Sequence, residues 1–231
     1  MIQITFLGHA TFELRFPSGE VLLFDPWIEG NPSFPKGYEL KRVDVIALTH
    51  AHFDHVNDVI PVAQKFSPKV VGIYELISYF EKKGVKNTVG FNKGGTLDLG
   101  FVKLTMTHAL HSSSIKDGDN LLYGGEAAGY VLTLTDGRRA YFAGDTALFG
   151  DMALIGELYR PELAFLPIGD HFTMDSHQAA HAARLLKVDK VVPMHYSTFP
   201  VLTGTPEALS EKLAKDGIEV WTLKQAQPVS W

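Results

Sequence analysis

The chain has no cysteine, no long apolar run and only a small excess of one charge. Without cysteine among its 231 residues, disulfide bonds, thiolate-bound zinc, iron–sulfur clusters and thiol nucleophiles are excluded. A formal charge of −5 argues against duplex nucleic acid as a partner. No apolar stretch approaches the length that crosses a bilayer, and the first residues lack the pattern of a secretory signal. We therefore expect a cytoplasmic protein without a membrane span, whose chemistry rests on histidine and carboxylate side chains.

Hydrophobic periodicity predicts an α/β protein that forms a single domain over residues 1–231. With 45% hydrophobic and 20% charged residues, the chain can bury a full core. Each half of the chain opens with β-rich runs and continues with alternating strands and helices. The β-rich runs lie at 2–7, 11–16, 21–24, 96–107, 129–135 and 139–143. This repetition predicts two similar halves packed sheet to sheet with helices outside.

The segment from Ser112 to Gly125 is the longest stretch without periodicity. It is rich in serine, glycine and aspartate, which favours a long loop over a strand or a helix. Two interpretations stay open. The loop is either a lid over a bound ligand or a surface excursion with no role in binding.

Three of the ten histidines crowd into six residues at the end of a predicted strand. His50, His52, Asp54 and His55 form the pattern HxHxDH. Imidazole nitrogens and carboxylate oxygens are the ligands that zinc, manganese and iron take from such a cluster. In an extended segment His50 and His52 point the same way, and the turn into the next helix lets Asp54 and His55 face a second point. The pattern therefore predicts two adjacent metal ions.

Further candidate ligands follow later predicted strands. His111, Asp145 and His195 each lie beyond the C-terminal end of one, where α/β proteins assemble their sites. His108 is available beside His111. Taken singly, each of these side chains is better explained as an ordinary hydrogen-bonded residue than as a metal ligand. Their occurrence together with the HxHxDH pattern favours a metal centre.

Other histidines have weaker signals. His177 and His181 lie one helical turn apart on a predicted helix, but Gln178 stands where a zinc-protease HExxH motif has its glutamate base. This favours a solvated helix face. His171 follows a predicted strand in a loop, which indicates the rim of a pocket. His9 lies between two predicted strands, and both a structural role and a substrate contact stay open for it.

These motifs together resemble the metal signature of the metallo-β-lactamase superfamily. The resemblance is closest to its uncharacterised metal-dependent hydrolase branch, which looks similar to ascorbate-6-phosphate lactonase and to the phospholipase D acting on N-acylphosphatidylethanolamine. It covers nearly the whole chain. Besides HxHxDH, the motifs that carry it are Leu7-Gly8-His9, Phe24-Asp25-Pro26, Ala143-Gly144-Asp145-Thr146-Ala147-Leu148-Phe149, Leu166-Pro167-Ile168-Gly169-Asp170 and His195-Tyr196.

The resemblance implies a four-layer αββα sandwich, the metallo-β-lactamase fold, with the site at one edge. It also implies a ligand set for two ions, and it favours His111 over His108. The implied ligands are His50, His52 and His111 for one ion, Asp54, His55 and His195 for the other, and Asp145 as a bridge. Asp25 resembles an outer-shell aspartate that holds a ligand histidine by its other ring nitrogen. The competing role for Asp25 is a turn residue before Pro26.

The function predicted from this set is hydrolysis of a small intracellular ester, lactone or phosphodiester. A hydroxide bridging two divalent metals, zinc or manganese with iron and nickel as alternatives, would attack the substrate. Asp54 could orient the hydroxide, and a protonated His171 could serve the leaving group. The alternatives are an iron-dependent oxidoreductase or sulfur dioxygenase on the same ligands, and a non-catalytic metal-binding module. The expected partner is a small molecule, and a homo-oligomer is left open.

Overall fold

Short strands and helices alternate through the computed structural model, which describes residues 1–231. Numbered in chain order, the strands are β1 (Gln3–Phe6), β2 (Phe12–Arg15), β3 (Val21–Phe24), β4 (Val45–Ala47), β5 (Lys69–Ile73), β6 (Thr88–Phe91), β7 (Thr96–Asp98), β8 (Val102–His108), β9 (Ser114–Asp117), β10 (Asn120–Tyr123), β11 (Ala128–Leu134), β12 (Arg139–Phe142), β13 (Leu163–Pro167), β14 (Lys190–Met194), β15 (Glu219–Val220) and β16 (Val229–Ser230). The helices are α1 (Phe53–Val56), α2 (Val59–Phe66), α3 (Tyr74–Lys82), α4 (Met152–Tyr159), α5 (Ser176–Leu186) and α6 (Pro206–Leu213). None of these helices has the length and apolar character needed to traverse a lipid bilayer.

The chain divides into two compact units, each with a seven-stranded sheet of its own. Unit 1 comprises Met1–Asn92, Ser112–Ala127 and Leu223–Trp231. Unit 2 comprises Lys93–His111 and Ala128–Thr222. The predicted single domain over residues 1–231 stays a prediction.

The sheet of unit 1 has the strand order β16-β1-β2-β3-β4-β5-β6. Strands β16, β1, β2 and β3 pair antiparallel, and β3 to β6 pair parallel. Every residue of Val21–Phe24 is buried, as expected of a strand covered on both faces. The parallel strands send their C-terminal ends to one edge, and the HxHxDH segment follows β4 at that edge.

The sheet of unit 2 has the order β15-β14-β13-β12-β11-β8-β7. It is antiparallel from β7 to β12 and parallel from β12 to β15. Helix α5 begins at an N-cap, where the Asp175 carboxylate accepts the backbone N–H of Gln178, and α6 begins after Thr205 with Pro206 in its first turn. Such caps satisfy backbone donors that have no partner inside the helix.

The prediction of a loop over residues 112–125 is wrong, because this segment contains the hairpin of β9 and β10. The two strands pair antiparallel from Ser114 with Tyr123 to Asp117 with Asn120, and Gly118 in the turn has φ 60°. All four residues of β10 are exposed. A strand with no buried face has no reason to alternate apolar and polar residues, so hydrophobic periodicity could not detect it.

Candidate metal centre

Non-glycine residues with left-handed backbone follow strands in both units. In unit 1, His9 has φ 58° after β1 and Asp25 has φ 43° after β3. In unit 2, Asp170 and His171 have φ 67° and 58° after β13, and His195 has φ 55° after β14. This backbone region is costly for residues with a Cβ and concentrates at functional sites. The sequence singled out all five residues, four of them within motifs.

The HxHxDH segment brings ring nitrogens together at the end of β4. His50 Nε2 lies 3.0 Å from His52 Nδ1, and the rings of His50 and His55 have centroids 4.1 Å apart. Two ligands of a tetrahedral zinc ion lie about 3.3 Å apart. The two nitrogens of His50 and His52 are therefore spaced much like two ligands of one ion. Helix α1 starts directly after His52 and carries Asp54 and His55, both buried.

Asp25 is fully buried and anchors this segment. Its carboxylate accepts the backbone N–H of Thr49 at 2.8 Å and the Thr49 hydroxyl at 2.6 Å, and it contacts His55 Nδ1 at 2.8 Å. Burial raises the pKa of Asp25, whereas the interactions with His55 and Thr49 act to lower it. When Asp25 is ionised it only accepts hydrogen bonds, so the ring hydrogen of His55 lies on Nδ1 and the lone pair of Nε2 is available to a metal. Asp25 thus contacts a candidate ligand histidine, as an outer-shell aspartate would, and it also occupies the turn before Pro26; its outer-shell role stays a prediction.

Unit 2 contributes a second cluster, formed by His111, Asp145 and His195. Oδ2 of Asp145 lies 3.0 Å from His195 Nε2 and 3.7 Å from His111 Nε2. Asp145 and His195 are buried, and His111 is partly exposed. One carboxylate oxygen thus lies close to imidazole nitrogens of two candidate ligands.

Backbone contacts hold the residues of this cluster in place. The Thr146 hydroxyl accepts the backbone N–H of Leu110 at 3.0 Å, and the Ala147 N–H donates to the Leu110 carbonyl at 3.0 Å. The segments that carry His111 and Asp145 are therefore joined. Gly169 allows the turn after β14 to pack closely against it. A Cβ at Gly169 would lie 2.1 Å from the His195 carbonyl oxygen, so a larger residue would not fit.

Four of the other histidines weighed from the sequence are exposed. His108 is exposed at the end of β8, its ring edge to face with Phe149 at 5.2 Å, and it is not part of the cluster around Asp145. His171 is exposed, and its ring packs against Phe172 at 4.5 Å. His177 and His181 are exposed on α5 with ring centroids 4.8 Å apart, as the prediction of a solvated helix face requires.

Two contacts near the HxHxDH segment were missed or left open by the sequence. The Ala51 N–H donates to Ser113 Oγ at 3.2 Å, and Ser113 Oγ donates to the Gly124 carbonyl at 3.3 Å. A Cβ at Gly124 would lie 2.3 Å from Ala51 Cβ, so the hairpin base packs directly on the residue between two candidate ligands. His9 Nε2 lies 3.0 Å from Asp54 Oδ2. Neither the packing of the hairpin on Ala51 nor the contact of His9 with Asp54 follows from spacing, since each joins residues more than 40 positions apart.

The donor chemistry of both clusters fits divalent transition metals. Imidazole nitrogens and aspartate oxygens suit zinc, manganese, iron and nickel, and the chain has no cysteine that could supply a thiolate ligand. In unit 1, ligand atoms of Asp25, His50 and His55 lie within 4.8 Å of one another. Thr49 Oγ1 lies 3.0 Å from His50 Nδ1, which leaves Nε2 as the ligand nitrogen of His50. The residues present therefore fit a metal centre.

Two mixed sheets whose strand ends carry buried histidine and aspartate define a metal-binding α/β protein. A beta-lactamase superfamily domain matches residues 21–196, and the chain belongs to this superfamily. It is 55% identical over 230 residues to a UPF0173 metal-dependent hydrolase of Solibacter usitatus, which covers 100% of both chains. A UPF0173 metal-dependent hydrolase of Koribacter versatilis is 53% identical over 211 residues, 91% of each chain.

A solved structure shows the same fold. Igni18, a metallo hydrolase from the archaeon Ignicoccus hospitalis, superposes with a TM-score of 0.87 at 34% identity over 99% of this chain and 97% of that one. The predicted metallo-β-lactamase fold of the α/β class is thereby confirmed. At the level that fold and relatives establish, the chain is a metal-dependent hydrolase of the beta-lactamase superfamily.

Proposed function

We propose that this chain is a dinuclear hydrolase that cleaves a small ester, lactone or phosphodiester in the cytoplasm. The proposal follows the family resemblance in assigning seven ligands to two divalent ions, zinc or manganese. His50, His52 and His111 would hold one ion, Asp54, His55 and His195 would hold the other, and Asp145 would be shared between them. The observation that carries the proposal is that Oδ2 of Asp145 lies within 3.7 Å of ring nitrogens from two histidines assigned to different ions.

Two divalent ions, when bound, supply Lewis acidity and lower the pKa of a coordinated water towards 7, so that a nucleophile is available at neutral pH. The chain's own residues then orient the reactants and move protons. Asp54 is buried, with its Oδ2 held by His9, so its carboxylate has a fixed direction in which to orient the attacking water. His171 is exposed and can exchange protons with solvent, which suits a general acid that serves the leaving group.

The hydrolase proposal is tested by measuring metal content and hydrolysis on the same sample. We expect two colourless metal ions per chain in protein purified without added metal, and turnover in one of three panels of lactones, phosphodiesters and thioesters. A chelator should abolish the turnover, and zinc or manganese should restore it. Iron with visible absorbance and oxygen-dependent turnover would favour the oxidoreductase alternative. If the protein retains its metal but shows no activity on any substrate, with or without oxygen, the result would favour a non-catalytic metal-binding module.

The hairpin of β9 and β10 is the candidate for the substrate lid. Its base packs on Ala51, between two assigned ligands, while Leu121 and Tyr123 are 75% and 69% exposed. Large apolar side chains exposed to solvent on a short strand add little to the stability of the fold. They are typical of surfaces that contact a ligand. We therefore propose that the hairpin touches the substrate.

Replacing Leu121 and Tyr123 together by serine should lower kcat/KM for the true substrate more than tenfold, about 1.4 kcal/mol of transition-state stabilisation. Metal content should stay unchanged, because neither residue is an assigned ligand and both are exposed. Leu158→Ser is the matched control, since Leu158 is 70% exposed on α4. If kcat/KM of the double variant equals that of the control variant, the hairpin is not a substrate lid.

A further inference from the structure

His9 occupies a costly position in unit 1. It is fully buried, and its φ of 58° lies in the left-handed region that a residue with a Cβ adopts only at a cost. A non-glycine residue held in this conformation persists where the surrounding structure over-determines it, commonly at functional sites. The imidazole of His9 is also polar, so its burial requires hydrogen-bonding partners.

The turn that carries His9 is held rigid by its neighbours. The Leu7 N–H donates to the Thr11 carbonyl at 2.9 Å, and the Thr11 N–H donates to the Gly8 carbonyl at 3.0 Å. Gly8 has φ 97°, and a Cβ there would lie 2.4 Å from the Ser33 carbonyl oxygen. The Thr11 hydroxyl donates to the Asp25 carbonyl at 2.7 Å. The turn is thus fixed to the segment that carries the outer-shell aspartate.

The His9 ring is fixed as firmly as its backbone. It packs edge to face on Trp27, with centroids 5.1 Å apart, and lies 5.6 Å from the ring of His55. Its Nε2 lies 3.0 Å from Oδ2 of Asp54. Because an ionised carboxylate only accepts hydrogen bonds, Nε2 of His9 is the donor.

We propose that His9 is a positioning residue that fixes the Asp54 carboxylate for the second metal ion. The inference rests on the proposed function, in which Asp54 is a ligand of that ion. By holding Oδ2, His9 would select the rotamer of Asp54 and leave Oδ1 for the metal. Outer-shell hydrogen bonds of this kind orient ligands, and their loss weakens metal binding.

The test compares two isosteric variants, His9→Gln and His9→Met. Both bear a Cβ at the left-handed position and fill similar volume, but only glutamine can donate a hydrogen bond from the place of Nε2. Zinc is titrated into metal-free protein in competition with a fluorescent chelator, so the readout does not depend on turnover. We expect His9→Met to weaken the second zinc site about tenfold, and His9→Gln to restore most of that loss.

The outcomes separate this proposal from the proposed function. Wild-type protein that binds only one zinc would overturn the dinuclear site itself. If the wild type binds two zinc ions but the two variants have the same affinity at the second site, the positioning role is overturned. This holds whether that shared affinity equals the wild-type value or is lower. A nitrogen-15 spectrum of zinc-loaded wild-type protein gives an answer even if a variant fails to fold. A His9 ring protonated at Nε2 supports the proposal, and a ring protonated at Nδ1 alone overturns it.

Discussion

Replacing Asp145 by alanine is expected to lower the occupancy of both metal sites and to reduce kcat/KM at least a thousandfold, about 4 kcal/mol of transition-state stabilisation. The reason is the position of its Oδ2, which lies 3.0 Å from His195 Nε2 and 3.7 Å from His111 Nε2. These histidines are assigned to different ions, so removal of the shared carboxylate takes a negatively charged ligand from each. The measurement is metal content by elemental analysis after gel filtration, together with kinetics on the substrate found by screening.

Two further variants sharpen the Asp145 experiment. His195→Ala removes a ligand assigned to one ion and should mainly empty that site, leaving close to one ion per chain. Asp136→Ala removes a surface carboxylate of the same unit, which pairs with Arg138 at 2.7 Å, and should leave metal content and kinetics unchanged. Two ions per chain retained in Asp145→Ala would rule out the bridging assignment.

Changing Asp25 to asparagine should leave the fold largely intact and yet weaken metal binding about a hundredfold. The carboxylate accepts from Thr49 and from His55 Nδ1, which keeps the His55 hydrogen on Nδ1. An amide presents N–H groups, and to accept one of them His55 must move its hydrogen to Nε2. A protonated Nε2 has no lone pair for a metal. We expect kcat/KM to fall about a hundredfold as well, or roughly 2.7 kcal/mol.

Asp58→Asn is the matched control for Asp25→Asn. Asp58 is buried in the same unit and accepts the backbone N–H groups of Ile28 and Glu29 at 2.7 and 3.1 Å. Its loss should lower the free energy of unfolding by about 1–3 kcal/mol, without an effect on metal affinity. Urea unfolding and zinc titration of both variants give the comparison. If the two variants lose metal affinity equally, the tautomer explanation for Asp25 is wrong.

The sequence alone determined the local parts of this protein. Buried strands such as Val21–Phe24 and Lys190–Met194, and the start of α6 at Thr205-Pro206, follow from runs of apolar residues and from capping chemistry between near neighbours. The HxHxDH pattern is also local, because four candidate ligands within six residues need only a strand end and one turn to come together. The family resemblance added the fold, which the solved relatives confirm, while its ligand set stays a prediction.

The tertiary structure decided which distant residues meet. Periodicity could not show that the exposed hairpin of β9 and β10 packs on Ala51, that His9 reaches Asp54, or that Asp145 lies between His111 and His195. These contacts join residues 34 to 73 positions apart: His9 with Asp54 is separated by 45 positions, Ala51 with Gly124 by 73, and His111 with Asp145 by 34. Patterns of 2.0 and 3.6 residues describe which face of one element is buried. They carry no information about which strand ends become neighbours, since that is set by strand order and by packing between elements.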